Sequence, residues 1–190
     1  MIRIISGQWG GQNIAAKPSP KMRPTSDKVR EALFSQLEAR WITSWEDIVV
    51  LDLFAGSGAF GFEALSRGAS FATFVDHHLQ TVKAIESAAK NFETTEKVEI
   101  LCKGSLEAIR WLYNRGTKFD LIFLDPPYRE DWVLATLNSL ADYPLLKKKG
   151  LVIAEYDKRE AVSQVEAVWK QEDARRYGDT TLAFFTPKDL

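Results

Sequence analysis

The most informative stretch of the chain is Val50-Leu51-Asp52-Leu53-Phe54-Ala55-Gly56-Ser57-Gly58-Ala59-Phe60-Gly61. It begins as an apolar strand, passes through a glycine loop and continues into a helical pattern. Residues 56–61 spell G-x-G-x-x-G, in which the glycines allow a sharp turn and let a ligand approach the backbone closely. The stretch therefore predicts a ribose-containing cofactor at the carboxyl end of a buried parallel strand.

Two acidic residues flank this loop in the predicted fold. Asp76 ends the next apolar run about 20 residues after the loop, which is the spacing at which a carboxylate accepts the hydroxyls of a ribose. Asp52 precedes the loop, where a carboxylate would repel a pyrophosphate and attract a cationic amino-acid group. S-adenosylmethionine carries an ammonium and a sulfonium, whereas NAD carries a diphosphate. The position of Asp52 therefore favours S-adenosylmethionine as the cofactor.

Outward from the loop, short apolar runs alternate with amphipathic runs. Buried parallel strands are predicted at residues 48–54, 71–76, 98–102, 119–125 and 151–156. Helices are predicted at residues 60–67, 79–91, 106–113, 131–140 and 159–169. This alternation predicts an α/β fold in which helices cover both faces of a mostly parallel, doubly wound sheet.

Both ends of the chain add to this pattern. Residues 3–16 contain three glycines between apolar stretches and predict a small hairpin, after which Thr25 and Ser26 are suitable N-caps for a helix. A glycine-centred turn at residues 177–179 predicts a closing antiparallel pair. The expected sheet thus has seven strands with an antiparallel last strand. We expect residues 1–40 to form a basic hairpin-and-helix appendage and residues 41–190 to form the main domain.

Charge and composition restrict the class of protein. The 190 residues carry a net charge of −1, but residues 1–30 hold six Lys and Arg against Asp27 alone. A basic arm on an acidic body indicates contact with a polyanion such as a nucleic acid. The single cysteine, Cys102, excludes an intrachain disulfide and is expected in the core, at the end of an apolar strand. Because the sequence shows neither a membrane span nor a signal peptide, we expect a cytoplasmic protein.

A second motif, Asp125-Pro126-Pro127-Tyr128, follows the strand predicted at residues 119–125. The two prolines fix φ and carry no N–H, so this corner is rigid and offers carbonyl acceptors without competing donors. Together with the Asp125 carboxylate, these acceptors can receive both hydrogens of an exocyclic amine. Tyr128 offers a flat face for a base, a contact worth about 1–3 kcal/mol. Ligands of open α/β sheets lie outside the carboxyl ends of the strands, where both motifs are predicted.

Further residues join these two motifs in one ordered set: Arg23-Pro24-Thr25, Asp27, Val29-Arg30-Glu31, Leu33-Phe34, residues 51–58, Gly61, residues 63–69 and residues 125–128. With this set the chain resembles the RsmD family over almost its whole length. The resemblance implies a Rossmann-like, S-adenosylmethionine-dependent methyltransferase. It also implies that the reaction methylates the exocyclic N2 of a guanine in small-subunit (16S) ribosomal RNA.

The resemblance also implies roles for individual residues. The cofactor is expected to contact Asp52, Phe54, Ala55, Gly56 and Gly58 on its methionine side, Asp76 and His77 at its ribose, and Gly104, Ser105 and Leu106 at its adenine. At the adenine, where an acid or amide is expected, this chain offers only the Ser105 hydroxyl and backbone groups. The target amine is assigned to Asp125, Pro126, Pro127 and Tyr128, and the RNA contacts to Arg23, Thr25, Lys28 and Arg30.

Three other functions stay open at this point. A DNA adenine-N6 methyltransferase would use the same chemistry on a flipped base, but the chain lacks a sizeable insertion for reading DNA sequence. A nicotinamide oxidoreductase would reuse the glycine loop, although Asp52 disfavours a pyrophosphate and there is little room for a substrate domain. A non-catalytic binding module would keep the cofactor fold alone.

The expected partners follow from the same reading. We expect a monomer acting on ribosomal RNA within an assembling or assembled small subunit, with no membrane and no metal. The two histidines, His77 and His78, are adjacent and have no metal-ligand spacing around them.

Overall fold

The computed structural model describes residues 2–14, 26–127, 131–160, 162, 165 and 167–188. A small hairpin of β1 (Ile2–Arg3) and β2 (Asn13–Ile14) precedes helix α1 (Asp27–Arg40). The elements that follow, in chain order, are β3 (Val49–Asp52), α2 (Ala59–Ser66), β4 (Phe71–Asp76), α3 (Leu79–Asn91), a 3-10 turn (Thr95–Lys97), β5 (Val98–Cys102), α4 (Ser105–Asn114), β6 (Phe119–Leu124), α5 (Trp132–Asp142), β7 (Leu146–Asp157), β8 (Trp169–Tyr177) and β9 (Thr180–Pro187).

The main sheet has seven strands in the order β5-β4-β3-β6-β7-β9-β8. The strands from β5 to β7 pair in parallel, and β9 is antiparallel to both β7 and β8. The predicted fold class, a mostly parallel seven-stranded sheet with helices, is therefore confirmed. The chain winds outward from β3 to β5 and then returns to the other side of β3 as β6. The strand order reverses between β3 and β6, which is where ligands bind in folds of this kind.

The two faces of the sheet carry separate hydrophobic cores. Along β6, Leu121 and Phe123 belong to one core, whereas Ile122 and Leu124 belong to the other. This alternation follows from the two-residue period of a strand, and it accounts for the nearly continuous apolar run of β6. The first core also includes residues of the hairpin, α1, α2 and α3, and the second includes residues of α4 and α5.

Hydrogen bonds connect the N-terminal hairpin to α2. The buried Glu63 carboxylate accepts the N–H of Ile5 at 2.7 Å and that of Ser6 at 3.1 Å, and the Ser66 hydroxyl donates to the Ser6 carbonyl at 2.6 Å. Gly7 has φ +83°, and a Cβ placed there would lie 1.9 Å from the Ser66 carbonyl oxygen. Described residues from both sides of the predicted boundary at residue 40 also belong to the same hydrophobic core, for example Ile4 and Val50.

Helix α1 begins as predicted. The Ser26 hydroxyl accepts the N–H of Val29 at 3.3 Å and caps the first turn. Thr25, the other predicted N-cap, lies outside the described residues. The helix packs its buried residues, Val29, Leu33, Phe34 and Leu37 among them, into the first core.

The helix predicted at residues 159–169 is wrong for the residues described there. Strand β7 runs on to Asp157, and Trp169 already opens β8. Between them, Val165 N–H donates to the Val162 carbonyl and Val168 N–H to the Val165 carbonyl, which are three-residue turns. Successive turns of this kind bury Val162 and Val165 in the second core at nearly helical spacing, so the apolar pattern indicated a helix.

Cys102 corrects a second expectation, because its side chain is exposed. It ends β5, which is an edge strand of the sheet, so one side of this strand has no neighbouring strand to cover it. Within the described ranges, no helix is long and apolar enough to cross a membrane.

Candidate active site

The glycine loop crosses the carboxyl ends of β3 and β4. The Ala55 N–H donates to the Val75 carbonyl at 2.9 Å, which ties the loop to the end of β4. Gly56 and Gly58 have φ values of 50° and 76°, in the left-handed region that glycine adopts most readily. A Cβ on Gly58 would also lie 2.8 Å from the ring of Phe62. Two of the predicted glycines are therefore required by the backbone turn.

Asp52, at the end of β3, is completely buried. Its Oδ2 accepts the N–H of Gly61 at 3.2 Å, and its Oδ1 has no hydrogen-bond partner among the described residues. Burial raises the pKa of Asp52 to about 7, with the Gly61 N–H opposing the shift and the nearby Asp76 charge contributing to it. A buried acid with one unused oxygen is suited to a ligand that brings a positive charge.

Asp76, at the end of β4, is held in place by two backbone donors. Its Oδ2 accepts the Gly56 N–H at 3.1 Å, and its Oδ1 accepts the His78 N–H at 2.8 Å. His77, the next residue, has a side chain that is 64% exposed, with its Nδ1 3.9 Å from Asp76 Oδ1. No group of three or more His, Cys, Asp and Glu side chains arranged for a metal occurs in the described part of the chain.

The turn after β5 lies beside Asp76. The Lys103 N–H donates to the Asp76 carbonyl at 3.1 Å, so the start of α4 is adjacent to the end of β4. Gly104 is the N-cap residue of α4, and a Cβ on it would meet no atom within 4 Å. Ser105 is buried, and Leu106 packs against the second core. The three residues predicted at the adenine are therefore brought next to the predicted ribose-binding acid.

The Asp-Pro-Pro corner follows β6 at the neighbouring position in the sheet. The Leu53 N–H donates to the Phe123 carbonyl at 3.1 Å, so the chain just beyond Asp52 runs beside the end of β6. Asp125 is half-buried, Pro126 is buried and Pro127 is exposed; Tyr128 lies outside the described residues. The structure thus places Asp52 and Asp125 at the ends of adjacent parallel strands, on the two sides of the point where the strand order reverses.

Trp132, which pairs at this corner with the predicted cofactor residue Phe54, was not among the predicted site residues. Phe54, half-buried, meets Trp132 edge to face, with ring centroids 6.3 Å apart and an interplanar angle of 63°. Sequence reasoning treated Trp132 as part of an amphipathic helix. The available signal was its position four residues after Tyr128, on the first turn of the helix that follows the Asp-Pro-Pro-Tyr motif.

The residues predicted to contact RNA fall into three groups. Arg23 and Thr25 lie outside the described residues, and Lys28 is exposed on α1. Arg30 is only 1% exposed, and it donates from Nη2 to the Arg3 carbonyl and to Asp27 Oδ1, at 2.5 and 2.9 Å. Burial lowers the pKa of Arg30, although Asp27 and Glu63 oppose this. The predicted phosphate contact of Arg30 is therefore corrected: its guanidinium is enclosed between the hairpin and α1.

Comparisons with known proteins give the chain its family. The model of the family described as Conserved hypothetical protein 95 matches residues 2–186. Ribosomal RNA small subunit methyltransferase D of Escherichia coli K12 is 36% identical over 88% of this chain and 81% of its own length. YlbH of Bacillus subtilis is 33% identical over 97% of this chain and 98% of its own length.

A solved structure is similar to this chain over its full length. The protein yhhF of Escherichia coli superposes with a TM-score of 0.83 at 29% identity, covering 100% of this chain and 99% of that one. The fold, the glycine loop and the two relatives give one answer: the chain belongs to the Conserved hypothetical protein 95 family, the RsmD family of ribosomal RNA methyltransferases.

Proposed function

We propose that this chain transfers a methyl group from S-adenosylmethionine to the exocyclic N2 amine of a guanine in small-subunit ribosomal RNA. Family membership supports an S-adenosylmethionine-dependent ribosomal RNA methyltransferase. The observation that carries the site is the buried Asp52 carboxylate, whose Oδ1 has no partner in the described ranges. A cofactor with a cationic amino-acid end fits this carboxylate, whereas a pyrophosphate does not.

The residues that would hold the cofactor occupy three neighbouring strand ends. S-adenosylmethionine, when bound, supplies a methyl group on a positively charged sulfur. Asp52 would pair with the ammonium, and Asp76, already fixed by two N–H donors, would accept the ribose hydroxyls. The turn at residues 104–106 would border the adenine, with Ser105 and the backbone as its polar groups.

The Asp125 corner would hold the target amine. The Asp125 carboxylate and the carbonyls of the proline pair are acceptors, and neither proline has an N–H to compete for them. Two acceptors that draw the N–H groups of an amine toward them help its nitrogen become tetrahedral and expose its lone pair. No strong base is required, because the nitrogen becomes acidic once it bears the new methyl group and water can take the proton.

The RNA is proposed to be presented within an assembling or assembled small subunit. The chain is short, and its basic arm offers little surface for reading a sequence alone. Proteins already bound to the RNA would therefore shape the target. Arg23, Thr25 and Lys28 are the proposed RNA contacts, the active species is proposed to be a monomer, and a ribosomal RNA substrate implies a cytoplasmic location.

The test is methyl transfer from labelled S-adenosylmethionine to small subunits that lack their native modifications, followed by nucleoside mass spectrometry. Label in N2-methylguanosine is the expected result. Label in N6-methyladenosine would support methyl transfer to an exocyclic amine but would refute guanine as the target base. Absence of label on both subunits and naked RNA would refute ribosomal RNA methylation.

Asp125→Ala tests the assignment of the amine. We expect turnover to fall by about 100- to 1000-fold, because the acceptors matter most as the nitrogen becomes tetrahedral. S-adenosylhomocysteine affinity should be retained. Asp47→Ala is the matched control, since Asp47 is an exposed acid at the opposite end of β3. Full turnover by Asp125→Ala would refute this mechanism.

A further inference from the structure

The edge-to-face pair of Phe54 and Trp132 forms an aromatic corner at the candidate active site. The two ring planes meet at 63°, so the pair presents two surfaces at a steep angle. The buried residues of α5 are Val133, Thr136, Leu137 and Leu140, and Trp132 is not one of them. Trp132 is half-buried and does not belong to the buried face of α5.

The corner lies where the two halves of the site meet. Phe54 follows Asp52 by two residues, on the cofactor side, and Trp132 opens the helix that follows the Asp-Pro-Pro corner. The turns proposed to hold ribose and adenine follow β4 and β5, on one side of β3, whereas Trp132 follows β6, on the other side. A planar group held against Trp132 is therefore distinct from the adenine of the cofactor.

The backbone before Trp132 is unusual. Asp131 has φ +52°, one of two non-glycine residues in the left-handed region among those described. Its carbonyl nonetheless accepts the N–H of Ala135 at 3.0 Å, so the helix starts immediately after this turn. Uncommon backbone conformations of this kind occur often at ligand clamps. The turn sets Trp132 on the first turn of α5, close to Asp125 in sequence and to Phe54 in space.

We propose that the aromatic corner binds the target base: the base stacks on one ring, its edge contacts the other, and its amine is directed toward Asp125. This inference rests on the proposed function and assigns Trp132 as a substrate-binding residue. A base outside its helical stack offers two flat faces, and aromatic side chains are the common platform for such bases in RNA. Two rings at a steep angle constrain both the plane and the edge of the base, which stacking on a single ring does not.

Three variants test the corner: Trp132→Leu, Trp132→Phe and the control Trp111→Leu. Trp111 is also a half-buried tryptophan of a helix on the same face of the sheet, but it stacks under the Arg115 guanidinium at 4.3 Å, in the second half of α4. For each protein, the KM for small subunits, kcat and the dissociation constant of S-adenosylhomocysteine are measured. Retained S-adenosylhomocysteine affinity also shows that the variant is folded.

Trp132→Leu should raise the KM for subunits or lower kcat/KM by about 5- to 100-fold, with S-adenosylhomocysteine affinity within about twofold of the wild type. Trp132→Phe keeps a flat ring and should recover most of the loss, and Trp111→Leu should match the wild type. Unchanged kcat/KM in Trp132→Leu, a parallel loss of S-adenosylhomocysteine affinity, or no recovery in Trp132→Phe would overturn the inference. If the wild type itself forms no N2-methylguanosine, the proposed function fails, and the two failures are thereby distinguished.

Discussion

Replacing Asp52 by asparagine should show how much stability the buried charge costs and how much cofactor affinity it provides. The side chain is fully buried and its pKa is raised from 3.8 to about 7. The folded protein therefore binds this proton more tightly than the unfolded chain does. Its stability should fall as the pH rises from about 4 to about 7, because the unfolded chain releases the proton first. Asparagine keeps an acceptor for the Gly61 N–H but cannot ionise.

The magnitude follows from the two pKa values. Linkage gives a penalty of about 4 kcal/mol at pH 8 and about 2 kcal/mol at pH 5 for the ligand-free wild type. Relative to the wild type, Asp52→Asn should therefore gain about 2 to 3 kcal/mol of unfolding free energy as the pH rises from 5 to 8. Urea denaturation at both pH values, without ligand, measures this difference. Parallel changes in the two proteins would refute the reasoning.

Cofactor affinity should rise with pH, whereas the stability of the ligand-free protein should fall. A cationic ligand pairs with the ionised carboxylate, so below pH 7 binding must first remove a proton from Asp52. Well below this pKa, the affinity of the wild type for S-adenosylhomocysteine should fall by about tenfold for each pH unit. Asp52→Asn should bind weakly and without this pH dependence, as measured by calorimetry. Equal affinity of the variant and the wild type at pH 8 would remove Asp52 from the cofactor site.

Three further substitutions test other parts of the structure. Asp76→Ala should weaken S-adenosylhomocysteine binding by about 10- to 100-fold in calorimetry, through loss of hydrogen bonds to a charged group, and an unchanged constant would exclude the ribose contact. Glu63→Ala leaves two hairpin N–H groups without their acceptor and the half-buried Arg67 with Glu38 as its remaining carboxylate, so urea denaturation should show a loss of about 2–4 kcal/mol; a loss below about 1 kcal/mol would contradict this role. Gly104→Ala adds a methyl group in open space, so the melting temperature should stay unchanged while S-adenosylhomocysteine binds more weakly; unchanged binding would place the adenine elsewhere.

The sequence was sufficient where the signal is local. Asp52, Gly56, Gly58 and Asp76 belong to one strand–loop–helix–strand unit, whose apolar runs and glycines have few alternative folds. Asp125 was placed correctly at a strand end because a run of apolar residues stops at two prolines. These positions could be assigned to one edge of the sheet because the carboxyl ends of parallel strands lie at the same edge.

The sequence failed where the outcome depends on distant contacts. Arg30 appeared to belong to a basic arm, but the Arg3 carbonyl and Asp27 enclose its guanidinium. Cys102 appeared apolar by its neighbours, yet its strand lies at the edge of the sheet. Trp132 gave a helical pattern, and only the approach of Phe54 shows its relation to the site. The Arg3 carbonyl and the Phe54 ring are far from Arg30 and Trp132 in the sequence, so a local pattern does not reveal these two contacts.

The attachment of the hairpin to α2 also bears on how the chain folds during synthesis. Ile5 donates to a carboxylate 58 residues further along the chain, and Ser6 to the same group 57 residues away. Both residues leave the ribosome long before Glu63 does, so the hairpin has no docking site until α2 has been made. Contacts between such distant segments close slowly, because the intervening loop must first lose its freedom. The hairpin is therefore translated before α2 but can dock only after α2 has been made.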